Sequence, residues 1–261
     1  MFAGGAYILK NGETTPTKIN FKFAVSNIAI DSNDNVYFSG FNGGTYILKS
    51  EKNIIIEVEE TIVPNFSSVY SIIVDNNDNI FFQTRENGTF VLRNGDTESR
   101  KIYAFVGNVI NTVVSDSNNN SYFWTNGYSD GNPQFIKNGE LKANQILVIN
   151  GQIQQIVIDT HNNVYFRTFD DIYVLKSGEI TPTEINGING QINSIIIIDK
   201  INNMYICTEN GLYVLNSDKL IFKKEIKGNI NFFYYNNKSD KIYFKYKTSK
   251  ITSIKIIIIK Y

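Results

Sequence analysis

The segment DSNDNVYF, beginning at Asp31, sets Asp31, Asn33 and Asn35 at alternate positions, which is how a calcium loop offers its oxygen ligands. Such a loop also needs a bidentate acid late in its run and roughly six to eight oxygens in all. After Asn35 the chain passes directly into Val36, Tyr37 and Phe38, and no such acid follows. The third position of the equivalent segments is Asn77, Asn118, His161 and Ile201, and isoleucine offers a metal nothing. The segment therefore reads as a tight turn in which Asp and Asn side chains bond nearby backbone N–H groups.

The remaining reactive side chains are few. His161 is the sole histidine and falls in one of these turns, so neither a two-histidine metal site nor a histidine-based serine triad can be assembled at another position. Cys207 is the single cysteine; it excludes an internal disulfide framework and a multi-cysteine zinc site, and reads as a small packing residue. Asp170 and Asp171 offer either a general acid and base or a solvated loop, and adjacent loop residues diverge. No catalytic residue, metal or cofactor is expected.

The elements that carry these residues repeat. DSNDNVYF at Asp31 returns as DNNDNIFF at Asp75, DSNNNSYF at Asp116, DTHNNVYF at Asp159 and DKINNMYI at Asp199, with a degraded NKSDKIYF at Asn237. The spacings are 44, 41, 43, 40 and 38 residues. An apolar, β-rich run precedes each copy, and a third β-type segment follows, as in GTYILKS, GTFVLRN and GLYVLNS. A weaker fourth strand comes next, best seen in YILKNGETTPTKIN from Tyr7 and YVLKSGEITPTEIN from Tyr173, 166 residues apart. A four-stranded meander of this length is the size of a propeller blade. The expectation is an all-β chain, a β-propeller of six four-stranded blades whose ring is closed by the N- and C-terminal strands, with residues 1–261 forming one domain.

Composition narrows the function. Lys plus Arg and Asp plus Glu stand at 25 each, so no global field draws the chain to nucleic acid or to an anionic membrane. No apolar run is long enough to span a bilayer as a helix, and no membrane insertion is expected. A monomer is expected, cytoplasmic if the chain is complete and at the cell surface if it is a fragment of a longer exported protein, a reading suggested by a start that falls mid-blade. The excess of Asn, Ile, Lys, Tyr and Phe resembles the proteins of AT-rich bacterial genomes.

From Ile192 to Leu215 the unit I-x-x-I-x-x-D-x-x-N-N-x-Y-x-x-T-x-x-G-L-Y-V-L resembles the propeller repeats of two-component regulator sensor domains, and NHL-type and gluconolactonase-like propellers nearly as closely. Thr84, Thr125, Thr168, Thr208, Gly88 and Gly211 keep the pattern, whereas Asn replaces the turn glycine and Tyr or Phe replaces the strand-two tryptophan. The resemblance implies a ligand-sensing or protein-binding ring without chemistry of its own, and the expected function is a module that binds a protein or carbohydrate ligand. The alternatives are a metal-dependent gluconolactonase-like or lyase-like enzyme, and a fragment of a surface sensor. The expected ligand face is the rim of loops between second and third strands, where Trp124, Tyr128 and Asp130 accompany the longest insertion and Arg85, Glu86, Arg167, Asp170, Asp171 and Glu209 supply mixed charge. Trp124 is either a surface anchor or a core residue.

Overall fold

The computed structural model describes residues 6–9, 12–19, 24–40, 43–50, 69–84, 87–103, 109–126, 133–198, 203–216, 219–236, 241–247 and 252–257. Regular structure among them is almost wholly strand, with one isolated parallel bridge between Tyr103 and Lys142. Strands β1 (Ala6–Ile8) and β2 (Thr17–Ile19) pair with each other, and β3 (Val25–Ile30), β4 (Val36–Gly40) and β5 (Gly43–Leu48) form a three-stranded sheet. Four-stranded meanders follow: β6 (Val69–Val74), β7 (Ile80–Thr84), β8 (Gly88–Leu92) and β9 (Arg100–Ile102), then β10 (Val109–Ser115), β11 (Ser121–Asn126), β12 (Gln134–Ile136) and β13 (Asn144–Gln145). The next two are β14 (Gln155–Ile158), β15 (Val164–Arg167), β16 (Ile172–Leu175) and β17 (Thr183–Glu184), and β18 (Ile192–Ile198), β19 (Asn203–Thr208), β20 (Gly211–Asn216) and β21 (Lys219–Lys227). Strands β22 (Asn229–Asn236), β23 (Lys241–Lys247) and β24 (Thr252–Ile257) form the last sheet.

The order within every sheet is sequential, so each is a meander, as the repeat length requires. The N-terminal pair repeats a third-and-fourth-strand ladder: Tyr7 faces Lys18 and Ile8 faces Thr17, while Tyr173 faces Glu184 and Val174 faces Thr183. All four positions are shifted by the 166 residues that separate the two sequence copies.

Two compact units emerge, one of Met1–Ser121 with Thr125–Gly127 and Phe135–Asn144, the other of Tyr122–Trp124 with Tyr128–Gln134 and Gln145–Tyr261. In the first unit the forward face of one sheet, Tyr37 and Ile47, packs on the backward face of the next, Ile72, Ile80, Phe82 and Leu92. In the second, Tyr165 meets Ile192, Met204, Ile206 and Leu215 in the same way. The period-2 alternation of a strand is what allows each sheet to bury both faces between neighbours. The aromatic six residues after the turn aspartate is buried at Tyr37, Phe81, Tyr165 and Tyr205, and half-buried at Tyr122; Tyr243 lies outside the residues whose side chains are described. No helix among the described residues is long and apolar enough to cross a membrane.

Candidate functional site

The repeated aspartates are consumed by their own turns. Asp31 Oδ1 accepts the N–H groups of Asn33 at 3.0 Å and Asn35 at 2.9 Å, and Oδ2 accepts Asn35 Nδ2 at 2.8 Å. The same three contacts recur at Asp75, Asp116 and Asp159. Burial alone would raise the Asp31 carboxyl; the hydrogen bonds from Asn35, Tyr37 and Asn33 outweigh it and hold the group below its ordinary value, because they favour the charged form. The asparagine four residues on bridges outward as well. Its Oδ1 takes the N–H of Ser50, Asn94, Asn138 or Ser177 in the loop after the third strand.

The residue at the third position after the aspartate is left-handed in each of these turns: Asp34, Asp78, Asn119 and Asn162 have φ between 61° and 65°. Glycine would hold this conformation without strain. Asp and Asn add a side chain that reaches the neighbouring turn. Asp78 Oδ1 accepts Ser32 N at 2.8 Å, and Asn119 Oδ1 accepts Asn79 Nδ2 at 2.6 Å. The departure from the sensor-type repeat thus buys a contact between successive turns.

At the opposite end of the strands the retained threonine builds the loop that presents the candidate ligand face. Thr168 Oγ1 donates to Asp171 O at 3.2 Å and accepts Asp171 N at 3.0 Å. Thr208 makes the same reciprocal pair with Gly211 at 3.1 Å for both bonds, and Thr84 bonds Gly88 O and Asn87 N. These hydroxyls are buried, so each loop is tied at its base.

In the second unit two such loops converge on the connection through Gln191 and Ile192. Ile192 N donates to Phe169 O at 3.0 Å, Arg167 Nη1 donates to Ile192 O at 2.8 Å, and Glu209 N donates to Gln191 O at 3.0 Å. Gly190, at φ 91°, sits so close to Asn210 that an added Cβ would lie 2.4 Å from Nδ2. This clusters Phe169, Asp170, Asp171, Glu209 and Asn210 on one rim. Phe169 is 47% exposed, and Asp170, Glu209 and Asn210 are exposed around it. Burial draws the Arg167 guanidinium below its usual value, and its Nε is buried without a partner.

Of the residues named from sequence, Arg167, Asp170, Asp171 and Glu209 are therefore brought together. Arg85, Glu86, Tyr128 and Asp130 lie outside the described residues. Trp124 is not a surface anchor: it is 6% exposed. Its column on the second strand explains this, since Ser39, Gln83 and Cys207 occupy the same place and are all buried. Phe169 was the aromatic the sequence reading passed over. Its flanking acids were the available signal.

A second feature was not legible at all. At the aspartate-turn end of the first unit a cleft of about 240 Å³ is lined by Arg93, Asp96, Arg100, Asn119, Glu140 and Leu141. Arg93 Nη1 donates to Asn119 O at 3.3 Å and Ser121 Oγ at 2.8 Å. Burial lowers its guanidinium pKa while Asp75 and Asp96 pull the other way. Among the described residues no group of three or more His, Cys, Asp or Glu side chains gathers as a metal would require.

No protein-family model matches the sequence, and no curated protein matches it. Solved structures do. The chain is similar to the extracellular domain of the hybrid two-component system BT4673 from B. thetaiotaomicron, at 14% identity and a TM-score of 0.56, over 85% of this chain and 32% of that one. It is similar to the Dos1 propeller at 13% identity and a TM-score of 0.60, over 89% and 66% of the respective chains. The fold is a β-propeller. YCF48 from Cyanidioschyzon merolae matches at 12% identity with a TM-score of 0.51, over 90% of this chain and 83% of that one. At these identities the likeness is one of fold, and the chain spans about a third of the length of the two-component extracellular domains. The sensor-propeller resemblance of the repeats is thus met at the level of fold.

Proposed function

We propose that this propeller is a non-catalytic binding module that takes a protein or carbohydrate ligand on the rim formed by Phe169, Asp170, Asp171 and Glu209. The observation that carries the reading is the exposure of Phe169 among carboxylates, on a loop whose base is fixed by Thr168. An exposed aromatic held on a rigid scaffold supplies contact area at small entropic cost, and acids beside it supply direction. The repeated aspartates support the same reading. Their oxygens are engaged by backbone and asparagine donors, which leaves them poor candidates for general acid–base work or metal ligation. Residues 1–261 are proposed to act as one domain in this role. Extracellular domains of two-component systems share the fold, and the proposed setting for the ligand is likewise outside the cytoplasm.

The test is binding of the purified chain to glycan and peptide arrays, compared with Phe169→Ala and Glu209→Lys. Loss of a bound class in both variants, with unchanged thermal unfolding and no effect of a chelator, supports the module. Binding or turnover that disappears on chelation, with metal recovered from the protein, would favour the enzyme reading instead.

A further inference from the structure

Arg93 follows the third strand of its blade, at the place held by Lys49, Lys137, Lys176 and Asn216 in other copies. Those four residues are exposed, whereas Arg93 is half-buried. Its Nη1 donates to Asn119 O and to Ser121 Oγ, and Ser121 Oγ lies 3.0 Å from the Ser115 hydroxyl that donates to Asp75. One end of the guanidinium is therefore fixed by the next blade. Its Nη2 is buried and has no acceptor. A guanidinium cannot shed its proton, and a charged donor left unpaired inside a protein is destabilising. A lysine reaching solvent, as in the other copies, would avoid that cost, so the fold alone gives no reason for the arginine.

Arg93 lines the cleft of about 240 Å³, which has two lips. Asp96 and Arg100 stand on the lip between β8 and β9, with 3.9 Å between their charged groups. Glu140 stands on the lip between β12 and β13. Both lips are pinned from below, because Asn94 N donates to Asn79 Oδ1 at 3.1 Å and Asn138 N donates to Asn120 Oδ1 at 3.0 Å. They are also tied to each other, since Tyr103 N donates to Leu141 O at 2.8 Å. A cleft built this way is preorganised, which lowers the entropic cost of binding. Its lining holds two arginines and two carboxylates, with Val91 and Leu141 as apolar wall. A ligand of one charge would meet an opposing pair, whereas a ligand carrying both charges matches the lining. The volume falls below the roughly 300–1,000 Å³ of pockets for drug-sized molecules, so the ligand is small.

We propose that this cleft binds a free α-amino acid, with the carboxylate on Arg93 and Arg100 and the ammonium on Glu140. The carboxylate supplies the acceptor that Nη2 lacks, and arginine forks suit a planar carboxylate better than lysine does. It reaches Nη2 through rotamer changes of Asn94, Asp96 and Arg100, all of which are exposed. Asp96 keeps Arg100 oriented, and an aliphatic side chain lies along Val91 and Leu141. The site belongs to the first unit and is independent of the rim at Phe169.

The experiment presents the standard L-amino acids one at a time to the full chain and follows the melting temperature, then measures the best binder by equilibrium dialysis. Its analogues without the ammonium and without the carboxylate serve as controls. The expected result is saturable binding with a dissociation constant of about 1 mM or tighter, and no comparable binding of either analogue. Glu140→Gln, an exposed change that the fold tolerates, should weaken binding about tenfold, as loss of one charge-assisted contact does. Arg93→Lys should weaken it at least as much, and Phe169→Ala should leave it unchanged. Absence of saturable binding by every amino acid would overturn the proposal and leave Arg93 a structural tie between turns. Equal binding of either analogue, wild-type affinity in Glu140→Gln, or loss of binding in Phe169→Ala would overturn it as well.

Discussion

The phenol of Tyr37 donates to Asp31 Oδ2 at 2.9 Å across the first hairpin. In the second blade Phe81 stands in its place, and Asp75 Oδ2 takes its hydrogen bond from Ser115 of the following sheet. The fourth donor is thus supplied within the hairpin at Asp31 and from the next sheet at Asp75.

That arrangement makes acid the condition that tests Asp31. Its folded pKa lies below the ordinary 3.8, so its contribution is complete above that value and is lost as pH falls through the lower folded value. The melting temperature of the wild type should exceed that of Asp31→Asn at pH 7, and the gap should narrow steadily below about pH 4. A gap independent of pH would show that the charge of Asp31 contributes nothing.

Asn79→Asp is expected to be severe. Asn79 is fully buried, gives Nδ2 to Asp75 Oδ2 at 2.8 Å and receives Asn94 N on Oδ1 at 3.1 Å. The substitution exchanges a donor for a second carboxylate facing Asp75, and unpaired buried polar groups cost about 1–3 kcal/mol, more when charged. Urea unfolding should show a loss of about 3 kcal/mol at pH 7, partly recovered at pH 4 as the new acid takes a proton.

Tyr165→Ala should cost about 3–5 kcal/mol as a large-to-small change in the core. The ring packs on Ile192 and Ile206 and its hydroxyl donates to Asp159 Oδ2 at 3.1 Å. Denaturant unfolding that matches the wild type would reject the assigned register.

Thr168→Val keeps volume and removes the hydroxyl that ties Asp171 to the base of its loop. Two hydrogen bonds of about 1 kcal/mol each are lost, so stability should fall by about 1–2 kcal/mol. The sharper readout is local: amide exchange at Asp171 should accelerate while that of Tyr165 and Tyr173 does not.

The blades were legible because the turn chemistry is local. An aspartate that bonds the second and fourth residues after it needs only those residues, and it leaves the same mark in the sequence each time. The burial of Trp124 depends on a column shared with Ser39, Gln83 and Cys207; these differ so much in kind that the column does not announce itself as interior. Phe169 was hidden for the opposite reason. Its exposure follows from the tie at Thr168 and from the connection through Gln191 and Ile192, which lies more than twenty residues away along the chain. The cleft beside Arg93 joins loops of two blades, and no spacing within either loop signals it.

The hydroxyl that completes Asp75 belongs to another repeat, and this limits how the chain can be rearranged. A hairpin with tyrosine at the sixth position, as at Tyr37 and Tyr165, carries its own donor. The second hairpin does not, and relies on a serine where Ile30, Val74 and Ile158 stand in other copies. Duplication or exchange of single units would preserve every strand and still leave Asp75 one donor short. The second and third repeats are therefore coupled through this bond, and permuted chains that separate them should be less stable than those that keep them adjacent.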